Sequence, residues 1–257
     1  MHKVAFRLGD FTIYSYGVLV AMGFLAGLWT ASRRGLRSGL PAEKILDAGP
    51  WLIIGAIAGS RFLYVISNWQ EFAGKSFFSI FNIRQGGLVF YGGLIGATLA
   101  TIGYLLWKKL PILKFADVLA PSIALGAFFG RLGCFMNGCC YGRACDLPWA
   151  VHFPADSDAG SAPRHPTQLY DSFLNLALYG GLVWLYRRKR FDGQVFATHL
   201  VCYALLRSFV EMFRGDYERS KYLLGGWVTP GQFVSVGIFA VGLFLLWRLG
   251  RRAGQKG

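Results

Sequence analysis

From Phe11 to Ala31 no side chain carries a charge. Mostly apolar stretches of similar length return near Leu46–Ser67, Gly87–Trp107, Phe115–Phe129, Gln168–Tyr186, Gln194–Phe213 and Pro230–Trp247. A helix crossing a bilayer needs about 20 mostly apolar residues. Repetition at that length constrains the fold more than any other feature. Composition agrees: of 257 residues 54% are hydrophobic, 34 more are Gly, only 16% are charged, and the mean hydropathy is +0.41. Soluble domains sit near 45–50% apolar with Gly included, and about a quarter charged. A disordered chain, a coiled coil, collagen and a disulfide mini-scaffold are excluded. The expected fold is an all-α integral membrane protein of about seven transmembrane helices, one polytopic domain over residues 1–257. The first stretch reads as a retained helix, not a secretory signal: its apolar run is too long and no small-residue cleavage site precedes Arg33.

The net charge of +14 would suggest nucleic acid in a soluble protein. Its placement says otherwise. More than half of the 27 Lys and Arg fall in four tight, acid-poor clusters: Arg33, Arg34, Arg37 and Lys44; Lys108, Lys109 and Lys114; Arg187 to Arg190; and Arg248, Arg251, Arg252 and Lys256. Cytoplasmic loops carry this excess. The N-terminus is therefore expected outside and the C-terminus in the cytoplasm, with no nucleic-acid partner. The longest polar interval puts residues 130–167 in an outward-facing loop region.

Charges inside the apolar stretches cost at least about 2.5–3.5 kcal/mol each and mark sites or partnered pairs. Arg61 lies in the second stretch. Arg207, Glu211 and Arg214 share one helical face in the sixth, by their spacing of four and three. Glu211 could simply neutralise one arginine. That leaves Arg61, Arg131 and one more arginine for an anionic ligand, and arginine forks match the oxygens of a phospholipid phosphate. Glycine-rich segments, GGLVFYGG at 86–93 and GRLGCFMNGCCYGR at 130–143, admit close backbone approach. For Gly92, Gly93 and Gly96, tight helix packing fits as well as a site. The second segment also carries Arg131, Asn137 and Arg143, which favours a site.

Cys134, Cys139, Cys140 and Cys145 fall within twelve residues, with Cys202 in an apolar stretch. The C-x4-CC-x4-C spacing is a poor match to paired zinc ligands. Apolar filler, a disulfide, and a metal-binding or catalytic thiol remain open. His165 reads as a structural hydrogen-bonder or a base. Tyr16 reads as an interface-belt tyrosine or a site hydroxyl.

In this order, GGLVFYGGLIGA, GRLGCFMNGCCYGR, RHPTQLYD and the R-x3-E-x2-R of LLRSFVEMFRGD resemble the prolipoprotein diacylglyceryl transferase family, from about Tyr16 to Arg214. The resemblance implies an enzyme of the bacterial cytoplasmic (inner) membrane with its active site toward the outer leaflet. It would transfer the diacylglyceryl group of phosphatidylglycerol to the lipobox cysteine of a prolipoprotein signal peptide. A thioether would form and glycerol phosphate would leave. By the same resemblance Arg131 contacts phosphatidylglycerol, Arg207 is essential, and Asn137, Gly142, Glu211 and Tyr16 fall on matching positions. The chain departs from the family where a histidine can stand at Tyr91, and where Asn and Glu can stand at Cys134 and Cys139.

The chemistry needs an activated sulfur and a stabilised anionic leaving group. Cations aimed at the phosphate matter most, which suits Arg131 and Arg207, with Arg61 or Arg214 in support and His165 at the substrate. Tyr91 could take the thiol proton if arginines lower its pKa, or the arginine field could act on the thiol directly. No metal or other cofactor is expected. Two rivals remain: an anion or lipid transporter, although no repeated halves are visible, and a thiol–disulfide enzyme using Cys139 and Cys140.

Overall fold

The computed structural model describes residues 1–9, 11–74, 77–82, 86–154, 160, 162–216 and 228–255. It is mostly helical, and its contacts fall into two compact units. One joins Met1–Ala31 to Ala116–Gly257, and the other is Ser32–Phe115.

The chain opens on an antiparallel hairpin, β1 (Val4–Leu8) and β2 (Phe11–Tyr14), turned at Gly9 with φ +58°. The first apolar stretch therefore divides: Phe11–Tyr14 is strand, and helix α1 runs Ser15–Arg37. The backbone N–H of Ser15 donates to Lys3 O at 2.9 Å, and its hydroxyl donates to His2 O at 2.6 Å. Those bonds occupy donors that a helix start otherwise leaves unpaired.

In the smaller unit, α2 (Ala42–Ser67) and α4 (Phe90–Trp107) make a glycine seam, with short α3 (Trp69–Phe72) and a 3-10 turn (Phe77–Phe81) between them. A Cβ on Gly59 or Gly92 would run into the other glycine's carbonyl oxygen, and one on Gly96 would meet that of Gly55. Without a hydrophobic force between helices in lipid, such close backbone contact is what holds them together. Gly92, Gly93 and Gly96 are thus packing residues.

In the larger unit, α5 (Ile112–Asn137) carries Pro121 in its interior. It crosses α1 where Gly23 meets Phe129 and where Ser122 Oγ donates to Gly27 O at 2.6 Å. The fourth stretch was expected to end at Phe129 and leave 130–137 in a loop; the helix continues two turns further. A Schellman motif stops it. Gly138 takes φ +75°, its N–H donates to Phe135 O, and Cys139 N–H donates to Cys134 O.

Helices α6 (Thr167–Tyr186), α7 (Gln194–Glu211) and α8 (Pro230–Gly254) complete the unit. Thr229 and Gln232 form a capping box at the start of α8. Asp117, fully buried, ties α5 to the α6–α7 turn by accepting from Lys189 Nζ (2.8 Å), Gly193 N (2.9 Å) and Phe196 N (3.0 Å).

Among the described residues, α1, α2, α4, α5 and α8 are long and apolar enough to cross a membrane. Their large apolar side chains face outward: Leu25 is 65%, Phe62 68%, Leu99 63% and Val236 67% exposed, which water would penalise and lipid would not. Helices α6 and α7 fall outside that set because they carry polar residues. Those residues are inside the unit: Thr167, Gln168, Asp171, Ser172, Asn175, His199 and Glu211 are all buried.

Candidate active site

The last turns of α5 place Arg131 and Cys134 beside the first turns of α1 and α6. Arg131 Nε pairs with Asp171 Oδ2 at 2.7 Å, across from α5 to α6. Asp171 is fixed in turn by Asn175, whose Nδ2 donates to its Oδ1 at 2.7 Å. The Arg131 terminal nitrogens make no hydrogen bond among the described residues, and the side chain stays 23% exposed. A guanidinium aimed through its Nε keeps its outer fork for another acceptor.

Tyr16, on the first turn of α1, packs on Gly133: a Cβ there would sit 2.9 Å from the Tyr16 ring. The ring lies within electrostatic reach of Arg131, Cys134, Cys139 and Cys140. Its hydroxyl makes no hydrogen bond among the described residues. Tyr203, on α7 one turn before Arg207, is a further electrostatic neighbour of Arg131.

The three thiols of Cys134, Cys139 and Cys140 converge within 4.8 Å of one another, all unbonded. Cys140 adopts φ +61°, rare for a residue with a Cβ, and this turns its thiol toward the same side as Cys139. The first turn of α6 pins both backbones: Thr167 Oγ1 donates to Cys140 O at 2.8 Å and Gln168 Nε2 to Cys139 O at 2.7 Å. Hydrogen bonds with the Cys134 and Cys140 thiols, and with Asn137, hold the Cys139 thiol below its ordinary range against the opposing effect of burial.

On α7, Arg207 Nη1 lies 2.8 Å from Glu211 Oε2, and Arg214 Nη1 lies 3.7 Å from the same oxygen. Arg214 also grips Asp216 through Nε (2.9 Å) and Nη2 (2.6 Å). Both Glu211 oxygens and Arg207 Nη1 are buried without a well-aligned hydrogen bond. Gly231, in the first turn of α8, covers the pair; a Cβ there would lie 2.7 Å from Glu211 Oε1.

Gly142 is a close-approach position: a Cβ would be 2.5 Å from that of His165 and 2.8 Å from Phe213 O. Its backbone bridges Arg214, and His165 N donates to Arg143 O at 3.0 Å. The His165 ring contacts the Tyr170 hydroxyl at 3.2 Å through Nδ1 and packs on Phe213. Asn137 is exposed at the end of α5.

Two expected site residues belong to the smaller unit. The Arg61 guanidinium donates to the carbonyls of Ile80 (2.6 Å), Gly86 (3.0 Å), Gly87 (3.2 Å) and Ser79 (3.1 Å), and sits over the rings of Tyr64 and Phe72. Four of its five N–H groups thus hold the backbone between α3 and α4, where a lipid phosphate was expected. Tyr91 is half-exposed on α4, and its hydroxyl makes no hydrogen bond among the described residues.

A model of the prolipoprotein diacylglyceryl transferase family matches residues 3–248. The chain belongs to this family. Relatives agree along most of their length. A protein of Solidesulfovibrio magneticus named phosphatidylglycerol–prolipoprotein diacylglyceryl transferase is 38% identical over 256 residues, covering 97% of this chain and 94% of that one. Proteins of the same name from Nitratidesulfovibrio vulgaris and Clostridium tetani are 36% and 33% identical, covering 95% of this chain and 92% and 96% of theirs.

Sequence reasoning missed four residues of this candidate site: Asp171, Thr167, Gln168 and Tyr203. The RHPTQLYD segment held three of them. A buried acid four positions from an asparagine, in an otherwise apolar helix, was the available signal for Asp171.

Proposed function

We propose that this protein transfers the diacylglyceryl group of phosphatidylglycerol to the lipobox cysteine of prolipoproteins, releasing glycerol phosphate. The observation that carries this reading is Arg131: anchored through Nε by Asp171, it presents an unbonded fork beside Tyr16 and a sulfur-rich loop. Displacing glycerol phosphate needs cations where negative charge grows. Arg131 supplies them, and Arg207, under-satisfied against Glu211, is the second donor. Tyr16 and Asn137 line the approach. Gly142, His165, Arg214 and Glu211 set the backbone and charge around it.

An apolar cleft of about 290 Å³, lined by Leu174, Ala177, Leu178, Cys202, Leu205 and Leu206, begins within one turn of Asp171 along α6 and reaches the residue before Arg207 along α7. It suits an acyl chain whose head group reaches the arginines. The membrane reading extends to seven spans: α6 and α7 are about 30 and 27 Å long at 1.5 Å per residue, and their polar side chains are buried within the protein. In this reading the chain lies in the bacterial inner membrane with the Arg131 end toward the outer leaflet.

The test is transfer in liposomes containing phosphatidylglycerol and a lipobox peptide. The native chain should form a thioether-linked peptide and glycerol phosphate. Arg131→Ala and Arg207→Ala should each lower turnover about 10²–10³-fold, as loss of one anion-stabilising donor does elsewhere. Full activity in both folded variants rejects the mechanism. Anion flux without lipid turnover would identify a transporter instead.

A further inference from the structure

The sulfur cluster lies beside the arginine site and takes no part in the mechanism above. Its construction is specific. Cys134 comes from the last turns of α5, and Cys139 and Cys140 come from the loop that the Schellman turn redirects. Neighbouring side chains on an extended strand point to opposite faces. Here the positive φ of Gly138 and Cys140 folds the loop back, so consecutive thiols meet the third within 4.8 Å. Thr167 and Gln168, both about 1% exposed, clamp the two loop carbonyls, and Gln168 Oε1 is buried without a hydrogen-bond partner. Loosely packed apolar filler would need none of this support.

Three thiolates with Zn–S bonds of about 2.3 Å occupy three corners of a tetrahedron whose edges are about 3.8 Å. The sulfurs lie within 4.8 Å of one another, so binding a metal must draw them in to that edge. Soft thiolate donors select zinc or cuprous ions over hard cations, and Arg131 offsets the excess negative charge of three thiolates on one divalent ion. Three protein ligands and an open fourth position are the arrangement of a zinc site that does chemistry.

We propose that Cys134, Cys139 and Cys140 bind one zinc ion whose fourth position takes the lipobox thiol and presents it as a thiolate to phosphatidylglycerol. The inference rests on the transferase reading. The incoming thiol gives its proton to water as its sulfur joins the metal, since a coordinated thiol is deprotonated. The sulfur's electron pair then forms the C–S bond at the glyceryl carbon. The C–O bond to phosphate breaks, and glycerol phosphate leaves with the electron pair of that C–O bond, its charge opposed by Arg131. The metal thus takes over proton removal.

The full-length protein in detergent, stripped with a chelator under reducing conditions, is titrated with cobalt(II). A single cobalt should bind with thiolate-to-metal absorption and be displaced by zinc. Cys139→Ser and Cys140→Ser should abolish that band, while Cys145→Ser and Cys202→Ser keep it. A lipobox peptide should shift the cobalt spectrum, and its Cys→Ser version should not. Lipid transfer should fall about 10²-fold on chelation, the scale of lost nucleophile activation, and return with zinc chloride. Full turnover by the metal-free enzyme, a cobalt spectrum indifferent to the peptide, or a disulfide between two of the three cysteines in active enzyme overturns the proposal. Cobalt and peptide binding without lipid turnover under any metal sinks the transferase reading instead, and leaves only the metal site.

Discussion

Asp171 cannot swing freely, because the Asn175 side chain donates to one of its oxygens and leaves the other for Arg131. Asp171→Asn should therefore act on orientation, not on charge at the phosphate. Turnover should fall about 10–100-fold, the range for a residue that positions another. Arg131→Lys should cost more, because an ammonium cannot both meet Asp171 and fork onto phosphate. Steady-state kinetics with varied phosphatidylglycerol, alongside melting curves, separate this from misfolding. A larger loss in Asp171→Asn than in Arg131→Lys would reverse the roles. What the sequence revealed here followed from cost: Arg131, Arg207 and Glu211 stand out because charge is rare in apolar stretches. Asp171, Gln168 and Tyr203 did not, because their meaning depends on which helices lie beside α5. The partners of Arg61 were illegible for the same reason: they are carbonyls, which carry no sequence signature.

Helices in this fold meet through small residues and a few buried polar ties. Gly59→Val should force α2 and α4 apart, since the Gly92 carbonyl already fills the space a Cβ needs. Overpacking of this kind costs about 1–3 kcal/mol, measurable as a lower midpoint of thermal unfolding in detergent. The Asp117 tie makes a second prediction. Asp117→Ala strands two backbone N–H groups, at about 1–3 kcal/mol each, and leaves Lys189 with Asp192 alone. Lys189→Met should be milder, because Asp117 keeps Gly193 and Phe196. Burial alone would lower Lys189, but hydrogen bonds to Asp117 and Asp192 outweigh it and hold the ammonium above its ordinary pKa. A group raised on folding stabilises fully below its unfolded value, about 10.4, and loses that contribution as pH climbs through the folded one. Melting between neutral pH and pH 9 should thus be insensitive to this pair, with the gap between native and Lys189→Met proteins closing only in stronger alkali. Element boundaries were less legible than element existence. The glycines of 130–137 suggested a loop, yet the helix persists to Gly138, the first position that takes positive φ.

Along α5, Asp117 and Arg131 are fourteen residues apart, about 21 Å at 1.5 Å per residue, so the helix separates two chemically different ends. At one end Lys189, within the basic run 187–190, pairs with Asp117. At the other lie Arg131, Tyr16 and the three thiols. Basic clusters elsewhere are paired with aromatic rings as interface anchors would be: Lys108 over Trp107 at 3.6 Å, Arg188 over Trp184 at 4.5 Å and Arg251 over Trp247 at 4.8 Å. Lys and Arg next to spans mark the cytoplasmic face, whereas Trp marks the head-group level on either side. If that rule sets this protein's orientation, the thiol loop faces the exported lipobox and the Lys189 turn faces the cytoplasm. Single cysteines introduced at Arg188 and at Trp149, in a background with all five native cysteines changed to Ser, test it. Intact spheroplasts treated with a membrane-impermeant maleimide should label the Trp149 position and leave the Arg188 position unlabelled until the membrane is broken. The reverse pattern would put the arginine site on the wrong side of the bilayer for an exported substrate, and the transferase reading would then have no acceptor to act on.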